Sequence, residues 1–431
     1  MAFTRSFMIR VLAAALGLLS VYAALQAQST DTLFDDTGAL QEIRFMMNTR
    51  DWQALKDNFE LDTYYPADLS WRGLTLRNVG IRSRGNTTRN PFKPGLRVDF
   101  NRYLSKQEFL GLKAMALDNM YSDVSLVRET IAMKLFVKLG FVAPRESHAR
   151  VYVNNEYIGA YVIIESLDRP FISRMWGAPE ANVESGGYLY EYNWVRPYGF
   201  ETLGNGLEAY AELFTPKTRE TDSTAGLYSP IKELIRAINE SPDDRFVQEV
   251  EKYIDLHQFI RYLAVENFLA DEDGLVGQWG LHNFYLYRFR DGRPWQLIPW
   301  DKDKTFSPPN HPIDYQINTD VLFVRAMTFP ELRQIYFDAL LSSAALAEEP
   351  GADDARGWLE REIDREIGRV QPALVEDSNY PFSMDDFDVE ADFLRQFART
   401  RTPFVRCQVA RATRASDVRQ TCSAPGSRPR R

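Results

Sequence analysis

Cysteine and histidine are scarce in this sequence, and their scarcity argues against a zinc enzyme. Only two cysteines, Cys407 and Cys422, and four histidines occur in 431 residues. The histidines are scattered, none forms an H-x-x-x-H pair, and the cysteines lie far from them, so a zinc hydrolase is not expected. In an exported protein the two cysteines could instead form one disulfide that closes a small C-terminal loop.

An excess of basic residues is also missing, because the formal net charge is −9. This argues against nucleic acid as the main partner. Long hydrophobic runs are absent after the N-terminus, where Arg5 and Arg10 precede an apolar run at 11–24. This pattern predicts a signal peptide at residues 1–27, cleaved near Ala23 or Ala27. We therefore expect an exported protein (periplasm, cell envelope or extracellular) with no stable membrane span after cleavage, or a membrane-anchored one if the segment is uncleaved.

The remaining chain changes from strand patterns to helix patterns near Asp168, which predicts an α+β fold with two lobes. We expect a β-rich N-lobe at 28–168, a mostly helical C-lobe at 169–400 and a basic, mobile tail at 401–431. The strand patterns lie at 40–47, 75–84, 96–100, 150–153, 157–165 and 186–192. The helix patterns lie at 51–57, from Ser122 or Asp123 to 139, and at 230–239, 255–270, 321–327, 331–346, 354–370 and 385–399.

Three further expectations concern breaks and packing in this arrangement. Residues 202–226 show no clear periodicity and are predicted to be an insertion or a mobile loop. Pro330 and Pro372 are predicted to break the helices around them. Aromatic residues make up 13% of the chain, and most fall at core spacing of strands or helices, so we assign them to packing and not to sugar binding.

A hairpin near the middle of the chain is the strongest local signal. An aromatic run at 284–289 and a second run at 295–300 flank Asp291-Gly292, a dipeptide typical of β-hairpin turns. Asn283 stands before the first strand and Asp301 follows the second, so the hairpin brings their side chains together. A carboxamide and a carboxylate offer hard oxygen ligands, which suit Mg²⁺ better than zinc.

Further carboxylates surround this hairpin, in an order typical of the second half of a protein-kinase site. There a catalytic Asp precedes a metal-binding Asn, and a second metal-binding Asp follows a short hairpin. Asp271 and Asp273 are both candidates for the catalytic acid, because eleven and nine residues, not four, separate them from Asn283. Asp303 is either a second metal ligand or an ion-pair partner of a neighbouring lysine.

Two charged residues in the first lobe complete the pattern. Glu129 projects from a largely apolar helix stripe, so it needs a partner or reaches water at the edge of the stripe. Lys93 precedes the strand at 96–100, at the end of a polar loop that contains a glycine. Lys93 and Arg97 are candidates for binding nucleotide phosphates, although a solvated strand face would account for both.

Four separated stretches resemble the spore coat protein H (CotH) kinase family, an atypical protein-kinase-like family. They are GIRSRGNTTRNPFKPGLRVDF, SDVSLVRETIAMKLFVKLGF, RVYVNNEYIGAYVIIESLD and HNFYLYRFRDGRPWQLIPWDKDKTF. The resemblance covers most of 42–306 and implies transfer of phosphate from ATP, with Mg²⁺ or Mn²⁺, to Ser or Thr of a protein substrate.

The resemblance also implies roles for individual residues. Lys93 resembles the lysine that holds nucleotide phosphates, and Glu129 resembles its ion-pair partner. Asp273 resembles the catalytic acid, with Asp271 kept as the alternative. The turn over the phosphates is matched by Arg84, Gly85 and Asn86, and the metal ligands by Asn283 and Asp301.

Two other functions remain open at this point. The chain could be a non-catalytic surface or envelope module for assembly or adhesion that keeps the kinase-like fold. It could also carry out another phosphate-transfer reaction at the same site, because a fold does not fix a reaction. A paired-acid glycosidase is disfavoured, because it explains neither Lys93 nor the order of residues around the hairpin.

Overall fold

The computed structural model of the protein describes residues 29–413 together with Cys422. The predicted signal peptide lies outside these residues. Within the described range, no helix combines the length and the apolar composition that crossing a membrane requires.

Seven strands close into a barrel in the first part of the chain, in the order β1-β2-β3-β4-β5-β7-β6. Adjacent strands are antiparallel except β6 and β1, which are parallel. Side chains alternate between the two faces, so Leu96 and Val98 fill the barrel interior while Arg97 between them points outward. The strands are β1 (Gln41–Met47), β2 (Tyr65–Trp71), β3 (Leu74–Arg84), β4 (Gly95–Asp99), β5 (Ala114–Asp118), β6 (Glu146–Val153) and β7 (Glu156–Glu165).

A four-stranded sheet in the second part has the order β11-β10-β8-β9. Its strands are β8 (Tyr188–Tyr192), β9 (Phe214–Pro216), β10 (Phe284–Arg288) and β11 (Gln296–Pro299). The predicted hairpin is confirmed as β10 and β11, with Phe284 opposite Pro299. Gly292 at its turn has φ +86°, a conformation that glycine adopts without strain.

Helices surround the barrel and the sheet. They are α1 (Thr30–Leu33), α2 (Thr49–Asp57), α3 (Arg128–Lys138), α4 (Arg169–Trp176), α5 (Glu208–Leu213), α6 (Thr224–Glu240), α7 (Phe246–Val250), α8 (Leu256–Leu269), α9 (Val321–Ala326), α10 (Pro330–Ala347), α11 (Trp358–Val375) and α12 (Met384–Thr413). Short 3₁₀ turns lie at Asp243–Arg245 and Ile317–Thr319. The predicted α+β fold, with a β-rich first lobe and a mostly helical second lobe, is confirmed.

Helix α3 joins the two lobes through the larger apolar core. Its buried residues pack on the outer face of β5 and β7, and the rings of Phe136 and Tyr262 lie 5.0 Å apart, which ties α3 to α8. A separate core fills the barrel around Phe45, Leu69 and Tyr161. The first residues of α3 therefore lie between the barrel and the helical lobe, where the predicted site residues also meet.

Several predicted boundaries are wrong. Helix α3 begins at Arg128, because the Asp123 side chain accepts hydrogen bonds from backbone N–H groups of Ser125 and Arg128 and stabilises the preceding turns. Residues 202–226 are not a featureless loop: they contain α5, β9 and the start of α6. Ser223 caps α6, so that helix begins six residues before the predicted Pro230.

The break predicted at Pro330 is confirmed, because α9 ends at Ala326 and α10 begins at Pro330, whereas the break predicted at Pro372 is wrong. Pro372 lies inside α11 and Pro403 lies inside α12. An internal proline costs about 3 kcal/mol, but both helices bury apolar residues on either side of it, such as Phe397 and Val405 on α12. Pro330, by contrast, stands at the first position of α10, where the missing N–H costs nothing.

The predicted tail begins too early, because α12 continues through Arg401 to Thr413. Arg401 is fully buried, which sequence reasoning from an arginine-rich segment did not anticipate. The predicted disulfide is present between Cys407 on this helix and Cys422, with their Cα atoms 5.7 Å apart. Of the residues after Thr413, only Cys422 is among those described.

Candidate active site

The two ends of the hairpin bring an amide and a carboxylate together. Asn283 directly precedes β10, and Asp301 is the second residue after β11. The Trp300 N–H donates to the Asn283 carbonyl at 3.2 Å. Asn283 and Asp301 both have positive φ, +55° and +51°. Such backbone conformations are uncommon for residues other than glycine, and they persist where the surrounding structure enforces them.

Asp273 joins this pair through direct hydrogen bonds. The Asn283 amide donates to the Asp273 backbone carbonyl and to its carboxylate Oδ2, each at 3.1 Å. His282 Nδ1 donates to Asp273 Oδ1 at 2.6 Å. The residues between Asp273 and Asn283 loop out, so the long spacing in sequence still allows a direct contact in space.

Asp271 has different surroundings. It is buried, and its Oδ2 lies 3.0 Å from Lys302 Nζ, at ion-pair distance though without hydrogen-bond geometry. Lys302 Nζ also donates to Glu266 at 2.6 Å. Burial lowers the pKa of Lys302, but Asp271 and Glu266 outweigh it and hold that pKa well above its usual range. Asp271 thus belongs to a buried ion-pair cluster (Glu266, Asp271 and Lys302), while Asp273 faces the hairpin ends.

Other carboxylates converge on Asp301 from the barrel and from α3. Burial, followed by repulsion from Glu146, raises the pKa of Glu129 well above its usual range. Burial and the charges of Asp303 and Asp118 raise the pKa of Asp301 to about 8. Among the described residues no ion pair includes Glu129 or Asp301, although Asp301 reaches solvent.

The chemistry of this donor set fits a divalent cation. The side chains of Asn283, Asp301 and Asp303 offer oxygen ligands, and Mg²⁺ and Mn²⁺ prefer oxygen ligands. Repulsion among the carboxylates would be relieved by a bound positive charge. The remaining predicted ligand, Asp303, accepts a hydrogen bond from Ser122 and lies 3.6 Å from Lys304, beside a cavity of about 260 Å³. The ion pair anticipated for Asp303 is therefore present, with Lys304.

Lys93 does not pair with Glu129 as predicted. Lys93 Nζ lies 2.7 Å from Asp377, just after α11, and both side chains are buried. The same carboxylate oxygen accepts the backbone N–H of Ala160 at 3.0 Å. Burial lowers the pKa of Lys93, and Asp377 offsets part of that effect. The predicted pairing is wrong because Asp377, 284 residues further along the chain, occupies the position of the expected partner.

Arg84 is a cation that acts on Asp301 and Glu129 from the barrel. Its Nη1 lies 2.5 Å from Asp118 Oδ2, and its guanidinium lies 5.6 Å from the centre of the Trp300 ring. Burial opposes its charge, but Asp118, Asp301 and Glu129 outweigh burial and raise the pKa of Arg84. This places Arg84, the last residue of β3, directly against the ends of the hairpin.

Arg97 lies on the same outward face of the barrel. Its Nε lies 2.9 Å from Asp99. The charges of Arg84 and Arg97 are close enough to repel each other, and both act on the buried hydroxyl of Tyr285 on β10. The two arginines therefore form a positive surface on the barrel that faces the hairpin.

The predicted phosphate turn follows Arg84. Gly85 has φ +119°, and a Cβ atom there would lie 2.8 Å from Thr88 Oγ1, so glycine is required at this position. Asn86 is exposed. Asn119 holds the far end of this loop by donating to the carbonyls of Thr88 and Lys93. The loop is thus anchored next to Asp118 and Arg84.

Arg401 anchors the segment that carries the acids. Its guanidinium donates to the carbonyls of Asn267 and Phe268 at the end of α8, and to those of Pro309 and His311 after the hairpin. Burial lowers its pKa to about 9. A charge that makes four hydrogen bonds to carbonyls fixes both ends of the site segment.

Sequence reasoning missed Asp118 and Arg401. Asp118 ends a short apolar strand, and nothing in its local sequence distinguishes it from a strand-terminal acid. A second group of carboxylates, Asp36, Glu362 and Glu366, lies close together elsewhere. Lys134 and Arg365 form ion pairs with all three of these carboxylates, so this group reads as a salt-bridge network that links α3 to α11.

Comparisons with known proteins identify the family to which the chain belongs. The family model described as CotH kinase protein matches residues 81–405. Inner spore coat protein H of Bacillus subtilis (strain 168) is 24% identical over 375 residues, covering 84% of this chain and 96% of that protein. Invasin CotH3 of Rhizopus delemar is 26% identical over 242 residues, covering 54% of this chain and 38% of that protein.

Among solved structures, the crystal structure of the Helicobacter pylori proinflammatory kinase CtkA is similar. It is 12% identical, covers 78% of this chain and 95% of that chain, and has a TM-score of 0.30. This score is too low for the likeness to bear on the site. The family match extends across the barrel face, the hairpin and most of α12, and the chain therefore belongs to the CotH kinase family.

Proposed function

We propose that this protein is a kinase that transfers the γ-phosphate of ATP to Ser or Thr residues of a protein substrate, with Mg²⁺ or Mn²⁺. The observation that carries this proposal is the direct contact of Asp273 with Asn283 at the hairpin end that also presents Asp301. A catalytic acid, a metal-binding amide and a metal-binding carboxylate in this order are the parts that phosphoryl transfer uses in kinases.

In this reaction the substrate hydroxyl oxygen forms a bond to the γ-phosphorus, and the bond from that phosphorus to the ADP oxygen breaks. Asp273 orients the hydroxyl and accepts its proton, and the hydrogen bonds from Asn283 and His282 fix the carboxylate for this task. Asn283 and Asp301 would hold the divalent cation, with Asp303 as a further ligand. The cation supplies neutralisation of phosphate charge when bound.

The arrangement favours Asp273 over Asp271 as the catalytic acid. Asp271 is engaged by the buried Lys302, which would hold its charge away from a substrate. Asp273 is partly exposed and lies at the hairpin end. Arg84 and Arg97 supply positive charge on the barrel surface that faces the hairpin, where nucleotide phosphates would lie.

The setting of the reaction is also part of the proposal. The N-terminal sequence favours export, and the relatives are named for a spore coat and for invasins. We place the substrates among proteins of the cell envelope, a coat or the secreted fraction. The second candidate is a non-catalytic surface module. The contacts between Asp273 and Asn283 beside Asp301 favour catalysis, because an adhesion surface gains nothing from several carboxylates that repel one another.

Transfer of labelled phosphate from ATP tests the proposal. Purified protein with Mg²⁺ or Mn²⁺ should label itself or an added Ser-containing protein, and Asp273→Asn should lose about a thousandfold in rate. Asp271→Asn is the matched comparison. This variant should lose activity mainly because it is less stable, so its loss of activity should shrink when the assay is run well below the unfolding temperature of the variant. If wild-type protein binds neither ATP nor metal, the kinase proposal fails and the surface module takes its place.

A second prediction separates the roles of the two basic residues. Arg84→Met should raise the KM for ATP at least tenfold, because Arg84 faces the site, and should cost less stability than Lys93→Met, because Arg84 and Asp118 are both partly exposed. Lys93→Met should instead destabilise the protein by about 3–5 kcal/mol, since it leaves Asp377 buried and unpaired. ATP titrations and urea unfolding of both variants measure this. A large KM effect for Lys93→Met in a protein of normal stability would contradict the assignment.

A further inference from the structure

Two tryptophans are exposed next to the proposed catalytic acid. Trp194 and Trp279 have relative exposures of 40% and 46%, while most aromatic side chains of the described residues are buried. Trp279 lies in the loop that separates Asp273 from Asn283. The assignment of aromatic residues to packing is therefore wrong for these two, and the insertion that lengthens the kinase spacing carries one of them.

The structure holds both tryptophans in fixed positions. Trp194 Nε1 donates to the Trp279 carbonyl at 2.9 Å, and their rings lie 5.9 Å apart at 77°. The loop is held against the segment of Trp194 as well, because the Leu281 N–H donates to the Tyr198 carbonyl at 2.7 Å. Two ordered, solvent-exposed indoles form an apolar patch, and such patches mark interaction sites.

The patch is continuous with the catalytic end of the site. The ring of Trp194 lies 6.3 Å from the ring of His282, and His282 Nδ1 lies 2.6 Å from Asp273. The Trp194 ring therefore lies within about 10 Å of the acid, which an extended peptide spans in two to three residues at about 3.3 Å each. A substrate with its hydroxyl at Asp273 would pass over the two indoles.

The shape of the patch indicates what it binds. The two rings meet edge to face and form a corner, and Val195 adds an exposed aliphatic side chain next to Trp194. A corner of this kind encloses a compact apolar side chain, whereas a sugar ring stacks on an open flat face. The observations thus favour a peptide side chain over a carbohydrate.

We propose that Trp194 and Trp279 form a substrate subsite that binds an aliphatic or aromatic side chain two or three residues from the Ser or Thr that is phosphorylated. This inference rests on the proposed kinase function and names the substrate class. The tryptophans touch the substrate and not the reacting atoms, so they determine which hydroxyl is presented to Asp273 and not how fast a bound hydroxyl reacts.

Two synthetic peptides test the subsite. Each has one central Ser and charged ends; one has Leu at the second and third positions on both sides of the Ser, and the other has Ala there. Wild-type protein should phosphorylate the Leu peptide with a kcat/KM roughly tenfold higher than the Ala peptide. Trp279→Ala and Trp194→Ala should reduce this ratio to about one through KM, and Trp279→Phe should restore part of it.

Controls separate the subsite from the catalytic function. Tyr103→Ala removes an exposed aromatic residue of the barrel and should leave the ratio unchanged. The KM for ATP should be normal in both tryptophan variants, because the indoles contact the peptide and not the nucleotide. A protein that labels itself but treats the two peptides equally, or uses neither, overturns the subsite and leaves the kinase function standing. Competition by a neutral oligosaccharide that Trp279→Ala abolishes would overturn the peptide assignment. Absence of any phosphate transfer by wild-type protein overturns both proposals.

Discussion

Asp301→Asn should reduce phosphate transfer about a thousandfold and leave the protein folded. Asp301 lies against Asn283 at the hairpin end, where its negative charge would hold the divalent cation. Asparagine keeps the shape and one oxygen but loses the charge on which cation affinity depends. Labelling from ATP measures the rate, and the rise in unfolding temperature on addition of Mn²⁺ measures cation binding; both should be lost together.

The fold should tolerate this change because Asp301 costs stability. Its folded-state pKa, about 8, is above its ordinary value of 3.8, so the folded state loses stability as pH rises from about 4 through 8. Metal-free Asp301→Asn should therefore unfold at or above the wild-type temperature at pH 8. Asp303→Asn is the matched control and should lose less activity, since Ser122 and Lys304 already engage Asp303. A rate near wild type for Asp301→Asn would exclude Asp301 as a metal ligand.

Lys302→Met should destabilise the protein by about 3–5 kcal/mol. Lys302 and both of its partners, Glu266 and Asp271, are buried. Methionine fills the space but leaves two carboxylates without a cation. Burial already raises the pKa of Glu266 to about 7. Without Lys302 the buried carboxylates should take up protons when the variant folds, so the variant should lose more stability than the wild type as pH rises. Urea unfolding at pH 6 and pH 8 measures the effect.

The neighbouring Lys304 supplies the control. It is largely exposed and interacts with Asp303 at 3.6 Å, so Lys304→Met should change stability by about 0.5 kcal/mol or less. Replacing Glu266 by Gln and Asp271 by Asn in the Lys302→Met background should recover part of the loss, because the uncompensated charges are then removed. Equal stability of Lys302→Met and Lys304→Met would mean that the buried ion pairs contribute little.

The parts of the fold and the site that could be predicted are those with local causes. Asp291-Gly292 fixes the hairpin turn, and the hairpin alone determines that Asn283 lies beside Asp301. The Asp255 cap and the following apolar periodicity were enough to predict α8, since the Asp255 side chain accepts the Gln258 N–H in the structure. These features depend on a few consecutive residues, so they are visible without the rest of the chain.

The parts that could not be predicted depend on distant residues. Lys93 pairs with Asp377 and not with Glu129, and no property of either local sequence indicates that pairing. Burial of Arg401 depends on backbone carbonyls, which leave no trace in side-chain patterns. The exposure of Trp279 has a similar origin: tryptophan favours the core, and only the tertiary placement of its loop beside Asp273 keeps it at the surface.

The four hydrogen bonds from Arg401 to backbone carbonyls can form only after the rest of the site has been synthesised. His311, the last of the four carbonyl partners in the chain, precedes Arg401 by 90 residues, which a ribosome adds in on the order of ten seconds. During that interval the segment with Asp273, Asn283 and Asp301 already exists, but the guanidinium that fixes its two ends does not. The nascent protein thus passes through a stage in which the acids have been synthesised but are not yet held in place.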